Sequence, residues 1–215
     1  MFARRVLIVE DEALLRDLLA QMLTAGGFIV RTAANALDAR QVFDEDDLDA
    51  VIVDINLGPG LDGYDLAEAL RRESAELGVV FLTNLPDPRF SGHGEREVFR
   101  GAAYLRKSQL VGTTELVDAL EEVLAGRVSA DHRHDKDPSR PLGNLSRMQL
   151  EVLKLVAQGK SNQQIADSRG RSVGAVESML SRIFAILEID AGADGNARVE
   201  AARRYMEAAG IPLAG

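Results

Sequence analysis

The stretch VLIVEDE, residues 6–12, begins with four consecutive apolar residues and ends in three carboxylates. A short, continuous apolar run of this kind is typical of a parallel strand that is buried on both faces. The leucines and the methionine that follow recur at helical spacing as far as Gly26 and Gly27, where a helix would end. This opening therefore predicts a strand and then a helix, with acidic side chains at the carboxyl end of the strand.

The same alternation recurs through the first 125 residues. Further strand-like runs cover 28–33, 50–55, 79–83 and 102–105, and further helix-like patterns cover 36–43, 64–72, 95–100 and 115–124. Thr113 or Thr114 is a candidate cap for the last of these helices. Five strands that alternate with five helices predict a doubly wound parallel sheet, with a functional site at the carboxyl ends of its strands.

Composition limits the possible classes of protein. The 215 residues carry a net charge of −9, with a net of −10 in 1–140 and of +1 in 141–215. An acidic first part argues against nonspecific binding to nucleic-acid phosphates there. The absence of cysteine excludes disulfides and thiol catalysis. No apolar run approaches the roughly 20 residues that span a bilayer, so we expect a cytoplasmic protein without membrane contact.

Acidic residues end two of the predicted strands. Glu10 and Asp11 follow the first strand, and Asp54 follows the third in VIVDINL, so a parallel sheet brings them to one edge. Such a cluster is unfavourable without a cation, and its hard oxygen ligands suit Mg²⁺. Thr83 in VVFLTN and Lys107 in YLRKS end the next two strands and add a hydroxyl and an ammonium. Together these groups predict phosphoryl transfer to an aspartate.

Each of these residues alone has an ordinary structural explanation, such as a turn aspartate or a surface lysine. Their joint pattern over residues 4–125 resembles the receiver domain of two-component response regulators, which implies a flavodoxin-like fold. The resemblance implies specific roles for the matching positions: Asp54 as phosphoacceptor, Glu10, Asp11 and the backbone carbonyl of Asn56 as further Mg²⁺ ligands, Thr83 and Tyr104 as switch residues, and Lys107 as the phosphate-binding lysine.

Three features depart from that pattern. The loop LGPGLDG after Asp54 is one residue longer than usual. Residues 84–99 carry two prolines and two glycines where receivers have a regular helix, which predicts an irregular segment. Ser108 follows Lys107 where proline is commoner, and this change affects the expected peptide-bond geometry.

Residues 126–144 are polar and lack apolar periodicity, so they predict a linker, in which His132 and His134 are expected to be solvated rather than metal ligands. From residue 145 the chain predicts four helices, including a short helix, a tight turn and a longer helix. Residues 145–190 resemble the LuxR-type helix-turn-helix domain, which we expect to occupy 145–210. The candidate DNA contacts are Lys160, Ser161, Asn162, Gln163, Arg169, Arg171, Ser172, Ser178 and Arg182.

The predicted recognition helix, 172–187, is poor in basic residues. Glu177 stands where the family commonly has lysine, and Met179, Ala185 and Ile186 replace polar or basic residues. DNA affinity depends mainly on Lys and Arg at phosphates, so these residues weaken the case for DNA binding. Apolar residues at helical spacing more often pack against other helices, which is the alternative role for Met179 and Ile186.

Two functions fit the whole sequence. The first is a response regulator that a sensor histidine kinase phosphorylates on Asp54 and that binds DNA, as a homodimer when phosphorylated, to regulate transcription. The second keeps the phosphorylation switch but uses the helix-turn-helix domain for protein interaction or dimerisation, with weak or no DNA binding. An independent phosphatase or hydrolase is a weaker hypothesis, because nothing in 141–215 resembles a catalytic domain. Self-phosphorylation and self-dephosphorylation are the only chemistry that we expect.

Overall fold

The computed structural model describes residues 3–58, 62–86, 88–90, 98–110, 112–137, 139–189 and 197–211. These residues form two compact units, and the chain passes from the first unit to the second between Lys136 and Asp137. Within the described ranges, no helix is long and apolar enough to cross a membrane.

The first unit is a parallel sheet with helices between its strands. The strands lie in the order β2-β1-β3-β4-β5, and every neighbouring pair is parallel. This arrangement confirms the predicted doubly wound fold. In chain order the elements are β1 Arg5–Val9, α1 Ala13–Ala25, β2 Ile29–Ala33, α2 Ala36–Glu45, β3 Ala50–Val53, α3 Gly63–Glu73, β4 Gly78–Thr83, β5 Ala103–Arg106 and α4 Thr113–Leu124.

The two faces of the sheet carry different cores. On one face, Val6 and Ile8 of β1 contribute to a fully buried aliphatic cluster with Leu23 of α1 and Leu120 of α4. This follows from strand geometry, because alternate residues of a strand point to the same face. The four residues of β3 are all buried, which explains why the central strands read as continuous apolar runs.

The aromatic residues of the first unit form a second cluster. Tyr64 of α3 stacks on Phe81 of β4 with ring centroids 5.0 Å apart, and the ring of Phe99 meets Phe81 edge-on at 5.5 Å. Tyr104 of β5 lies next to Phe81, at 6.2 Å between ring centroids. Offset and edge-on pairs of this kind are favourable in addition to their apolar burial. The cluster therefore joins α3, β4 and β5.

Two helix predictions differ from the structure. Half of the helix predicted near 95–100 lies outside the described residues, and 98–100 are not helical, so the described part of the first unit has four α-helices rather than five. The predicted threonine cap of α4 is wrong. Gly112 occupies the cap position and both threonines are already helical, whereas a capping residue has to precede the first helical residue.

The other departures have mixed outcomes. Residues 59–61 of the long loop after Asp54 lie outside the described residues, as do 87 and 91–97 of the segment predicted to be irregular. Its described residues include a single 3-10 turn at Pro88–Phe90. No cis peptide bond occurs in the described residues, and the bond between Lys107 and Ser108 is trans.

The prediction that the two histidines of residues 126–144 are solvated is wrong. His132 is only 8% exposed, and its Nδ1 lies 2.8 Å from Oε2 of Glu122 on α4. The backbone N–H of Arg106 on β5 donates to Nδ1 of His134 at 2.9 Å. Residues 130–136 thus form two 3-10 turns that belong to the first unit. The composition of this segment could not predict these contacts, because the partners of both histidines lie at least ten residues away in sequence.

The described residues of the second unit form four helices, α5 Arg147–Ala157, α6 Asn162–Arg169, α7 Val173–Ile186 and α8 Ala197–Ala208. Ser161 and Ser172 cap α6 and α7 through side-chain oxygens that accept backbone N–H groups, as predicted. Gly170 ends α6 with a positive φ of 59°, a conformation that glycine adopts without steric cost. α8 packs against α5.

Ser146 tests the contribution of a cap to the second unit. Its hydroxyl accepts the N–H of Gln149, and the Gln149 side chain accepts the N–H of Ser146, which is a complete capping box. We expect Ser146→Ala to lower the free energy of unfolding of this unit by about 1 kcal/mol. Calorimetry of the full-length protein measures the change. Ser181→Ala, at an exposed serine inside α7, is the matched control and should change stability by less than about 0.5 kcal/mol.

Candidate functional site

Three carboxylates meet at the carboxyl edge of the sheet. β1 and β3 are neighbours in register, with Val9 opposite Val53, so Glu10, Asp11 and Asp54 leave the sheet side by side. One oxygen from each of the three lies within 4.8 Å of the others. Glu10 and Asp54 are only 2% and 6% exposed. The structure therefore brings together the three acidic residues that the sequence singled out.

Lys107 provides the positive charge in this cluster. It follows β5, and its Nζ lies 2.6 Å from Oε2 of Glu10 and 2.6 Å from Oδ2 of Asp54. Burial by itself lowers the pKa of this ammonium, but the charges and hydrogen bonds of Asp54 and Glu10 together outweigh that effect and raise the pKa of Lys107 above its ordinary value. Lys107 therefore stays protonated and keeps a donor beside Asp54.

The carboxylates still repel one another. Burial raises the pKa of Glu10 above its ordinary value, and the charge of Asp54 adds to this, against the opposing contacts with Lys107. One ammonium does not balance three carboxylates. A divalent cation with a preference for oxygen ligands would offset the remaining charge, and the donor set fits Mg²⁺.

Arg16 supports the backbone of Glu10 and Asp11, a role that the sequence analysis did not predict. Its guanidinium, at the end of the first turn of α1, donates to the backbone carbonyl of Glu10 at 2.6 Å and to that of Asp11 at 3.3 Å. These bonds fix the backbone on which both carboxylates stand. A basic residue five or six positions after an acidic strand end, at the end of the first helical turn, is the signal that would have identified it.

Hydrogen bonds in the loop after β3 hold the backbone around Asp54. The N–H of Asn56 donates to Oδ1 of Asp54 at 3.1 Å, and the N–H of Gly63 donates to the carbonyl of Ile55 at 2.9 Å. A Cβ atom at Gly63 would lie 1.9 Å from the carbonyl oxygen of Asp54, far inside contact distance. Gly63 is thus required for the approach of α3 to Asp54, and sequence analysis missed it. The role of the Asn56 carbonyl as a metal ligand stays a prediction.

Thr83 and Tyr104 are both fully buried and both contact Leu85. The Thr83 hydroxyl accepts the N–H of Leu85 at 3.3 Å, and the Tyr104 hydroxyl donates to the carbonyl of Leu85 at 3.0 Å. Thr83 ends β4, the strand next to the one that precedes Asp54. One backbone residue therefore connects the hydroxyl at the strand end with the aromatic side chain of β5.

In the second unit, the predicted DNA contacts lie around α6 and α7. All of them are exposed except Asn162 and Arg169, which are half-buried. Arg198 of α8 donates to Oδ1 of Asn162 at 2.7 Å and also to the backbone carbonyl of Lys160. Arg169 pairs with Glu151 of α5 at 2.9 Å. These two residues therefore have structural partners inside the unit.

The outer face of α7 has little charge. Glu177, Ser178 and Arg182 are exposed, and Ile186 is 38% exposed. The hydroxyl of Ser178 donates to the carbonyl of Gly174 at 2.8 Å within the helix. The predicted packing role of Met179 and Ile186 holds only in part, since Met179 is half-buried and the buried residues of α7 are Val176, Leu180 and Ile183.

Comparisons with known proteins agree with both units. The family described as the response regulator receiver domain matches residues 6–93, and the luxR family of bacterial regulatory proteins matches 143–192. The transcriptional regulatory protein TdiR of Thauera aromatica is 30% identical over 195 residues, which cover 89% of this chain and 83% of TdiR. The chain belongs to the response-regulator family. It combines a receiver domain with a LuxR-type helix-turn-helix domain.

Other response regulators are similar over most of their length. BvgA of Bordetella pertussis, described as a virulence-factor transcription regulator, is 30% identical over 191 residues, or 84% of this chain and 88% of BvgA. A solved structure of RcsB dimers on DNA covers 96% of this chain and 99% of its own, with a TM-score of 0.60. At 17% sequence identity, that likeness concerns the fold alone.

Proposed function

We propose that Asp54 accepts a phosphoryl group from a sensor histidine kinase and that the phosphorylated response regulator binds DNA as a homodimer to control transcription. The observation that carries the first part is the buried contact between Lys107 and Asp54 within the acidic cluster. A buried nucleophilic carboxylate beside a protonated lysine and two further carboxylates is suited to phosphoryl transfer.

The transfer itself requires little from the protein beyond position and charge. An Asp54 oxygen forms a bond to phosphorus while the bond between phosphorus and the histidine nitrogen of the kinase breaks, and the leaving imidazole takes up a proton. Lys107 stays by the acceptor and stabilises the oxygens of the transferring group. Thr83, on the neighbouring strand end, is the hydroxyl that would donate to one of these oxygens.

Mg²⁺ would neutralise the developing charge between the transferring phosphoryl group and the protein carboxylates. Glu10, Asp11 and Asp54 are the residues that would hold it. Arg16 acts indirectly. Its two hydrogen bonds hold the backbone carbonyls of Glu10 and Asp11 in place, and this backbone positions the two carboxylates.

DNA binding by the second unit is supported by the candidate DNA contacts that are exposed around α6 and α7. Two linked copies would also bind paired half-sites more tightly than a single copy. We would test this by mixing the full-length protein with fragmented genomic DNA, with and without beryllium fluoride and Mg²⁺, and sequencing the retained fragments. A shared motif that is enriched only with beryllium fluoride supports the proposal. No enrichment, together with a change in oligomeric state, indicates a protein-interaction function instead.

Glu177 provides a test of the DNA-facing side of α7. If α7 enters the major groove, Glu177→Lys replaces a repulsive charge by an attractive one, so affinity should rise and the slope of log affinity against log salt should steepen by about one. Fluorescence anisotropy at several salt concentrations measures both. Asp118→Lys, at an exposed position of α4, makes the same change in net charge and should have little effect. Equal effects of both variants would place Glu177 away from DNA.

A second candidate function is a phosphorylation-controlled protein interaction through the same helix. The exposed Ile186 and the low charge of α7 favour this function, because protein interfaces have apolar centres with few charged groups.

A further inference from the structure

Arg198 of α8 contacts the turn that leads into α6. Its Nη1 donates to Oδ1 of Asn162 at 2.7 Å, and its Nη2 donates to the backbone carbonyl of Lys160. These two acceptors belong to the residues on either side of Ser161, which caps α6. A planar guanidinium holds two acceptors in a fixed geometry, which the single nitrogen of an ammonium does not do. One side chain of α8 therefore holds the backbone before the cap and the side chain after it.

The side of α8 that carries Arg198 is the packed side of this helix. Ala201 and Tyr205, three and seven positions further on, are buried, and this spacing places them on the same side as Arg198. Arg198 itself is half-buried. Its guanidinium thus contacts the turn from inside the second unit.

The backbone of Lys160 is held on both sides of its Cα atom. Its N–H donates to the carbonyl of Leu155 on α5 at 3.1 Å, and its carbonyl accepts from Arg198 on α8. Lys160 is exposed, and its ammonium forms no ion pair with any residue that the structure describes. Lys160 therefore combines a fixed backbone with a charged side chain that is available to a DNA phosphate.

The contact with Arg198 also sets the orientation of the Asn162 amide. Oδ1 is the acceptor in this contact, so the Nδ2 amino group lies on the opposite side of the same planar amide. In this orientation Nδ2 can donate to a phosphate oxygen, whereas a flipped amide would present an oxygen to it. Lys160 and Asn162 are both candidate DNA contacts, and Arg198 determines the geometry of both.

A second arginine of α8 holds the other end of the helix-turn-helix. Nη1 of Arg204 donates to the carbonyl of Leu187, the residue that ends α7, and its Nε donates to Oε1 of Glu200 at 2.9 Å. A cation at the carboxyl end of a helix is favourable, because the last carbonyls have no partners within the helix. α8 thus contacts both the start of α6 and the end of α7.

We infer that Arg198 is a positioning residue for DNA binding, which orients Lys160 and Asn162 toward phosphates and makes no DNA contact of its own. The inference rests on the proposed DNA-binding function of the second unit. Both Nη atoms of Arg198 already donate to acceptors inside the unit. Side chains that are ordered before association lose less conformational freedom when they bind, so the complex is tighter. Without the guanidinium, the DNA itself would have to order this turn.

Arg198→Lys tests the inference, because it keeps the charge and removes the paired donors. We would measure binding of the full-length protein, with beryllium fluoride and Mg²⁺, to a labelled duplex of mixed sequence at several salt concentrations. The variant should bind about ten-fold more weakly and lower the slope of log affinity against log salt by about one, at least as much as Lys160→Ala. Arg203→Lys is the matched control, because Arg203 is exposed and pairs with Glu200 and Glu207 of its own helix.

The double variant of Arg198→Lys and Lys160→Ala separates a positioning role from a direct contact. If Arg198 acts through Lys160, the double variant binds about as Arg198→Lys alone does. Effects that add would overturn the inference alone. Wild-type affinity of Arg198→Lys would do the same, because lysine also contacts phosphates. No salt-dependent binding by the wild type would overturn the DNA-binding function and the inference together.

A measurement on the wild type decides the question even where Arg198→Lys fails to fold. In the absence of DNA, NMR relaxation of the backbone nitrogens should give order parameters for residues 160–162 near the rigid value of about 0.85. Values below about 0.6 would mean that the turn is flexible before DNA binds, and they would overturn the inference. Circular dichroism checks the fold of each variant.

Discussion

Replacement of Asp54 by asparagine is expected to abolish phosphoryl uptake from a small phosphodonor or from the cognate kinase. The amide lacks the anionic oxygen that attacks phosphorus, so no acyl phosphate forms. The fold should persist. Lys107 keeps its contact with Glu10 at 2.6 Å, and the variant removes one of three neighbouring carboxylates. Intact-protein mass spectrometry measures the incorporated phosphoryl group, and circular dichroism checks the fold.

The control for this experiment is another aspartate of the same unit. Asp47 is exposed and lies between α2 and β3, away from the carboxyl edge of the sheet, so Asp47→Asn should take up the phosphoryl group as the wild type does. Persistent labelling of Asp54→Asn at the wild-type level would remove Asp54 from the acceptor role. A loss of labelling in both variants would point to a general effect of charge rather than to a specific nucleophile.

The sequence was most informative where local pattern determines structure. The strand-like runs identified the five described strands within two residues of their observed ends, because β3 and β4 are buried along their whole length and read as apolar runs. β2, at the edge of the sheet, is largely exposed and carries Arg31 and Thr32. The positions of Glu10, Asp54 and Lys107 at strand ends were enough to place them at one edge, since parallel strands share that edge. Ser161 and Ser172 were recognisable as caps because a cap depends on residues within one helical turn.

The missed features depend on partners that are distant in sequence. The role of Gly63 follows only from the approach of α3 to the carbonyl of Asp54, nine residues earlier. His134 has its partners on β5 and α4, 28 and 19 residues away, and a polar composition alone indicated a solvated linker. Thr114 could not cap α4 because the helix begins before it, and element boundaries shift easily by one or two residues. These features therefore depend on tertiary contacts and exact helix boundaries, which composition and periodicity do not reveal.

Gly63→Ala should be the most disruptive glycine-to-alanine change among the described residues of the first unit. The added Cβ would lie 1.9 Å from the carbonyl oxygen of Asp54 and 2.7 Å from a Val53 methyl group, and the nearest obstacle is backbone rather than a flexible side chain. Either α3 moves away from β3 or the acceptor backbone shifts. Overpacking of this kind typically costs about 1–3 kcal/mol, and we expect a loss at the upper end of that range.

The same substitution should slow phosphorylation, because the displaced carbonyl belongs to the acceptor itself. Calorimetry measures the loss of stability, and the initial rate of labelling by a small phosphodonor measures the effect on Asp54. Gly174→Ala is the matched control, since a Cβ there meets nothing within 4 Å and the position is helical, so stability should be unchanged or slightly increased. If Gly63→Ala keeps the stability and labelling rate of the wild type, the backbone of Gly63 is not as close to the Asp54 carbonyl as the structure has it, where an added Cβ would lie 1.9 Å from that oxygen.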